Sequence, residues 1–209
     1  MEVYEIIKGA LEGKSIRRII LNKCLKEKFD SKGIIIDLAS GDNLSYRFIK
    51  NLIKVDLYAK NVNIRADLNH TLPFKDDSID AVIFFNAIYI LKNPERILNE
   101  IYRILKPYGK LYLSSPFVFN EAPEPKDYFR FTSIYLKEKL NEIKFHVEEI
   151  IPIGERFSVI TYIVSQRMPN FLKPFIYVPA FYIDGFLNKK IRTYRLPLNY
   201  FVIAKKVKE

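Results

Sequence analysis

The stretch Gly33-Ile34-Ile35-Ile36-Asp37-Leu38-Ala39-Ser40-Gly41-Asp42-Asn43 decides the fold. Its first half is a short apolar run rich in β-branched residues. That is the pattern of a strand buried on both faces, and such strands belong to parallel sheets. Its second half is a turn of small residues, which lets backbone approach a ligand closely before a helix opens near Asn43. A purely structural turn can have the same composition, because Ala39 and Asn43 stand where a G-x-G-x-G motif has its first and third glycines.

The strand signal returns along the chain. Leu52-Ile53-Lys54-Val55-Asp56 and residues 62–67 read as short strands, each ending on an aspartate, and residues 79–86 form the most apolar strand. Residues 110–115, 145–153 and 199–205 supply three more. Upstream, Ser15 caps a helix through about Phe29, with Ile16, Ile19, Ile20 and Cys24 on one face. The clearest helix opens at Asn93 as cap, with Pro94 at its first position. Ile97, Leu98, Ile101, Ile104 and Leu105 make its apolar stripe, and Lys106-Pro107 is expected to stop it. Strands alternating with helices predict an α/β fold: a Rossmann-like, doubly wound, mostly parallel seven-stranded sheet. Only residues 57–61 separate the second strand from the third, too few for a crossover helix, so a bare loop is expected there.

In such sheets the ligand sits beyond the carboxyl ends of the strands, where the strand order reverses. Asp56 lies 19 residues after Asp37, which matches the spacing at which an acid binds ribose hydroxyls in nucleotide folds. Asp67 ends the third strand, where a carboxylate can accept from an adenine amino group, and Asn86 ends the fourth.

Taken in order, Asp37-Leu38-Ala39-Ser40-Gly41, Val55-Asp56, Ala66-Asp67, residues 72–80 and the run 93–109 resemble the class I S-adenosylmethionine-dependent methyltransferases. The likeness covers about residues 33–150. Ser115-Pro116-Phe117, Glu121-Ala122-Pro123 and residues 127–132 are similar to the segment after the fifth strand in a broad subgroup of that family. The resemblance implies that Asp37, Leu38, Ala39, Ser40 and Gly41 line the methionine portion of S-adenosylmethionine. It implies that Asp56, with Leu57 beside it, holds the ribose. Asp67 and the Leu68 backbone would hold adenine, with Asn86 facing the same cleft. Tyr89-Ile90 stands where the family often has a Glu-His pair, so a mechanism through that histidine has no carrier here. Tyr108 replaces the first glycine of the usual Pro-Gly-Gly turn.

Methyl transfer from a sulfonium is a single displacement in which alignment supplies most of the rate, so a missing general base does not exclude it. No residue is singled out as catalytic. Tyr128, Arg130, His70 and Tyr89 are the candidates for touching the acceptor, Arg130 because its planar fork suits carboxylate or phosphate. The alternative for Arg130 is a pair with Asp127 or Glu121 that merely pins the loop. The acceptor is read as a small molecule or a glycan- or lipid-linked substrate. RNA methylation and a non-catalytic cofactor-binding scaffold are the alternatives. No metal is expected: there is no Cys/His cluster and no H-E-x-x-H. Absent G-x-S-x-G and full G-x-x-x-x-G-K-Ser/Thr phosphate-loop motifs remove support for hydrolase and NTPase readings. An NAD enzyme fits less well, because the glycines that bring backbone against a pyrophosphate are missing.

The chain has 209 residues, 49% of them hydrophobic, and is read as one domain. Its parts are a helical segment over 1–32, a cofactor-binding core over 33–153, a helical insertion or lid over 154–196 and a final strand over 197–209. Cys24, the single cysteine, is expected to be a small buried hydrophobe. With no signal peptide and no stretch long enough to span a bilayer, a cytoplasmic location is expected. The net charge of +10 is concentrated at the ends: residues 34–136 carry 13 Lys and Arg against 12 Asp and Glu, whereas residues 137–209 carry 13 against 7. Solvated lysine-rich faces give that count, and so do partners with phosphates.

Residues 154–196 are crowded with large apolar groups, among them Phe157, Ile160, Ile163, Phe171, Phe175 and Phe186, and such groups are expected to be covered. Prolines 169, 174 and 179 are expected to break the segment into short helices, followed by the basic run from Lys189 to Arg195. A lid over the chain's own cleft, a homodimer seam and peripheral contact with an anionic membrane are the three readings.

Overall fold

The computed structural model describes residues 3–42, 48–121, 126–187 and 195–207. Strand β1 (Ile35–Leu38) lies between β2 (Leu52–Asp56) and β4 (Ile79–Phe85) in a seven-stranded sheet. With β3 (Ile64–Arg65), β5 (Leu105–Pro116), β6 (Phe145–Ile153) and β7 (Asn199–Lys206), the order is β3-β2-β1-β4-β5-β7-β6. The pairings that join β3, β2, β1, β4 and β5 are all parallel. All four residues of β1 are buried, as is every residue of β4 except Asp80. Continuous burial of this kind is what a strand covered on both faces requires. The chain runs outward from β1 to β3 and then returns to β4 on the other side, so the strand order reverses between β1 and β4.

The β2–β3 connection has no helix, as its length requires. Strand β3 is shorter than the expected span of residues 62–67. The Asn63 side chain accepts from the Lys54 N–H at 2.9 Å, taking the place of a ladder bond until Ile64. Helix α3 (Pro94–Ile104) begins as expected, with the Asn93 side chain accepting from Arg96 N–H. It ends before Lys106-Pro107, because Leu105 already pairs with Ile79 while Lys110 pairs with Ala81. The extra residues bulge outward: Tyr108 adopts φ 67°, and a Cβ on Gly109 would meet the Lys106 carbonyl at 2.9 Å. Tyr108 thus takes the left-handed conformation that glycine adopts at no steric cost.

The chain divides into two compact units. One comprises residues 29–116, 120–151 and 200–209 and holds most of the sheet, α3 and α4 (Ser133–Glu142). The other comprises residues 1–28, 117–119 and 152–199 and holds α1 (Val3–Leu11), α2 (Ile16–Lys28), α5 (Arg156–Ser165) and α6 (Lys173–Leu187).

Within the helical unit three expectations change. Cys24 is half-buried, since Leu21 and Leu25 take the inner positions of α2. Pro179 lies inside α6 and does not break it; it forgoes only the bond to the Phe175 carbonyl. The apolar groups of α5 and α6 are largely uncovered: Ile160 and Ile163 are each 56% exposed and Phe175 is 75% exposed. Asp184 is buried. It accepts from the backbone N–H groups of Glu155, Phe157 and Ser158 at 3.0, 3.0 and 2.8 Å, capping the start of α5.

Candidate functional site

Asp37 lies near the carboxyl end of β1 and is buried. Leu38 is buried beside it, and Ala39 then turns the chain with φ 55°, followed by Ser40 and by Gly41 at φ 60°. Left-handed backbone costs an alanine about 1–2 kcal/mol. Asn86, just past β4, also has φ 54°, and its N–H donates to the Ser114 carbonyl at 2.8 Å. The two strands that flank the switch point therefore both leave the sheet through a left-handed residue. Strain of this sort persists where the surroundings fix the backbone for a task. A Cβ placed on Gly41 would meet nothing within 4 Å, so its outer side is open.

Asp56 ties this turn down. Its Oδ2 accepts from the Gly41 N–H at 3.0 Å, and its Oδ1 accepts from Tyr58 and Ala59 at 2.8 and 3.0 Å. Burial opposes its ionisation, but the backbone N–H groups of Ala59, Gly41, Tyr58 and Leu57 outweigh that and hold the carboxyl below its ordinary value. Four backbone donors thus converge on one carboxylate at the end of β2. The Leu57 carbonyl receives the Arg65 guanidinium at 2.9 Å.

Asp67 lies two residues past β3. Its Oδ1 accepts from the Asn69 backbone and side chain, and His70 Nδ1 lies 3.0 Å from Oδ2. The Asn69 N–H is the largest influence holding the Asp67 carboxyl low, with His70 contributing. His70 is exposed and already engaged, and Leu68 is half-buried. The loop that follows is held by Arg103, which donates to the Phe74 carbonyl at 2.9 Å and to Glu100 at 2.8 Å.

Tyr89 is buried on a short 3-10 helix (Ile88–Ile90) after β4. Its carbonyl accepts from Tyr128 N–H at 2.9 Å, and Arg130 lies over its ring at 5.4 Å. Arg130 donates to both oxygens of Asp127, and the acceptance of these hydrogen bonds by Asp127 is the main cause that raises the Arg130 pKa further. It also donates to the carbonyls of Phe129 and Asn120. The geometry thus joins Tyr89, Tyr128 and Arg130 into one cluster with Asp127 as its anchor, and Tyr128 is 43% exposed.

Two contributors escaped the sequence reading. Asp42 accepts from the Lys60 and Asn61 N–H groups at 2.7 and 3.3 Å, closing the bare β2–β3 loop onto the first turn. Ser114 places its hydroxyl 3.4 Å from Asn86 Oδ1. Their only signal was position: one directly follows Gly41, the other sits near a strand's carboxyl end. The helix expected near Asn43, and Ala122-Pro123, lie outside the described residues. A cavity of about 270 Å³ lies by the opposite ends of the strands, but Lys106 there pairs with Asp80 and Lys110 with Asp30.

Residues 37–113, the segment that carries β1 through most of β5, match the methyltransferase domain family. Over these residues the chain is similar to the S-adenosylmethionine-dependent methyltransferases. A methyltransferase-like protein of Schizosaccharomyces pombe, itself uncharacterised, is 28% identical over 148 residues, which are 64% of this chain and 57% of that one. The chain thus spans little more than half the length of that curated relative. An S-adenosylmethionine-dependent methyltransferase of Archaeoglobus fulgidus superposes with TM-score 0.62 at 19% identity, over 90% of this chain and 94% of that one. A phosphoethanolamine N-methyltransferase of Haemonchus contortus, solved with S-adenosylhomocysteine, superposes with TM-score 0.62 at 18% identity, over 90% of this chain and 53% of that one. At such identities these structures establish the fold alone.

Proposed function

We propose that the chain transfers the methyl group of S-adenosylmethionine to a small molecule or to a glycan- or lipid-linked acceptor. The observation that carries this reading is Asp56. One carboxylate, held ionised by backbone donors, fixes the open turn at Gly41 and stands at the carboxyl end of β2, where it would accept from a ribose hydroxyl. Asp37, Leu38, Ala39, Ser40 and Gly41 line the methionine portion, and Asp67 with Leu68 and Asn86 borders the adenine side. Asn69 and His70 already use most of the acceptor capacity of Asp67. The bound sulfonium supplies an activated methyl group. The chain's own contribution is to orient the acceptor, with Tyr128, Tyr89 and Arg130 forming the wall that does so. His70, paired with Asp67, is available to shape the acceptor's approach.

The test is calorimetric titration with S-adenosylhomocysteine and S-adenosylmethionine. Saturable binding of both supports the reading, and no heat at millimolar concentration sinks it. Labelled methyl recovered in the organic-extractable or the small water-soluble fraction then identifies the acceptor class. Label in RNA would favour the reading that draws on the basic excess, and binding without transfer would favour a scaffold.

A further inference from the structure

Helices α5 and α6 pack on each other, yet each turns large apolar side chains outward. On α5 the inner positions are Ser158, Val159, Thr161, Tyr162 and Ser165, and the outer ones are Phe157, Ile160, Ile163 and Val164. On α6 Tyr177, Ala180 and Asp184 face inward, whereas Phe175, Tyr182, Ile183 and Phe186 are between 38% and 75% exposed. Phe171 and Leu172, just ahead of α6, are exposed as well. A helix apolar all round is a helix meant to be surrounded by apolar matter. No helix among the described residues is long and apolar enough to cross a membrane. An α6 of 15 residues falls short of a span and suits the plane of an interface.

The charges of the same segment say what surrounds it. Residues 152–199 contain seven Lys and Arg and two acids, Glu155 and Asp184. Both acids are 5% exposed and spent internally. Asp184 caps α5, and Glu155 accepts from the Leu196 N–H at 3.1 Å. The segment therefore presents cations and hydrocarbon to its surroundings and no carboxylate at all. A second copy is a poor occupant, because a two-fold seam built on residues 152–199 would set like charge against like. Nucleic acid would meet the cations but gain nothing from Ile160, Ile163, Val164 and Leu172. An anionic lipid surface satisfies both halves, since apolar insertion and charge attraction reinforce each other there.

We infer that α5 and α6 form a docking face for an anionic membrane, with the aromatic and aliphatic side chains entering the headgroup layer and Arg167, Lys173 and Arg195 meeting lipid phosphates. The basic residues Lys189, Lys190 and Arg192 follow α6 in the sequence and add to the same charge. This face goes beyond the cofactor reading and stands or falls without it.

Vesicle co-sedimentation of the full chain tests it. Phosphatidylcholine vesicles containing about a third phosphatidylglycerol are expected to bind at least about tenfold more tightly than phosphatidylcholine alone, and the preference to shrink as salt is raised. Combined Phe171→Ser, Phe175→Ser and Phe186→Ser changes, all at exposed positions, are expected to lower binding by about tenfold or more while leaving the unfolding midpoint unchanged. Arg167→Gln with Lys173→Gln is expected to remove part of the anionic preference only. Equal recovery on both vesicle types overturns the proposal. So does a concentration-dependent dimer that the three serines abolish, competition by RNA that the serines leave intact, or serines that weaken S-adenosylhomocysteine binding and leave vesicle binding as it was. Loss of vesicle binding with normal S-adenosylhomocysteine affinity separates this face from the cofactor site.

Discussion

Replacing Asp56 by asparagine keeps the shape of the side chain and removes its charge. The amide oxygen can still accept from Tyr58 and Ala59, but the amide nitrogen then faces the Gly41 N–H across 3.0 Å, donor against donor. A ribose hydroxyl held by Asp56, as proposed, would meet the same altered edge. A hydrogen bond to a charged group contributes about 1.5–3 kcal/mol against about 0.5–1.5 for a neutral one. Losing one such bond to the cofactor corresponds to roughly tenfold to hundredfold weaker binding of S-adenosylhomocysteine. Calorimetry reads the affinity, and urea unfolding of the same sample reads the release of the turn. If Asp56 only pins the turn, stability falls while the folded protein binds within about threefold of the parent, and the ribose assignment is then refuted.

Ala39→Gly relieves a left-handed alanine and is expected to stabilise the fold by up to about 1 kcal/mol, net of glycine's greater chain entropy; a lower urea midpoint would contradict this. Asp184→Ala strips three backbone N–H groups of their acceptor at the start of α5 and is expected to cost about 2–3 kcal/mol in the same assay. Asp56, Asp80 and Glu100 all titrate below their ordinary values in the fold. Their contribution is therefore present above the unfolded range near about pH 4 and is lost as pH falls through the folded values. Unfolding midpoints followed from neutral to acid check that sign, and a fold more stable in acid would reverse it.

The strands were legible because burial on both faces leaves an uninterrupted apolar mark, as in Ile35–Leu38 and Ile79–Phe85. Helix α3 was legible at its start, where Asn93 and Pro94 act locally, and misread at its end, where pairing of Leu105 with Ile79 overrode the proline signal. The strand-end acids followed from spacing, and their hydrogen bonds did not. That Asp56 binds Gly41 depends on loop conformation, which the order of residues does not encode locally, whereas the pair of Arg130 with Asp127 is one of the two readings the sequence offered. The outward apolar faces of α5 and α6 were visible as composition, but composition has no sense of inside and outside. Counting large side chains predicted cover, and only the fold shows which of them lack it.

The two margins of the sheet bear on how the protein survives at high concentration. An unpaired strand edge is a template on which another chain can add, and its danger grows with its length. The margin at β3 is two residues long, because Asn63 spends its side chain on Lys54. At the other margin β6 carries exposed His146, Glu148 and Glu149 and has Pro152 near its end. A newcomer strand would find too few partners at one side, and charge with a missing donor at the other. The sheet is thereby finished at seven strands, and growth by edge addition is closed to it.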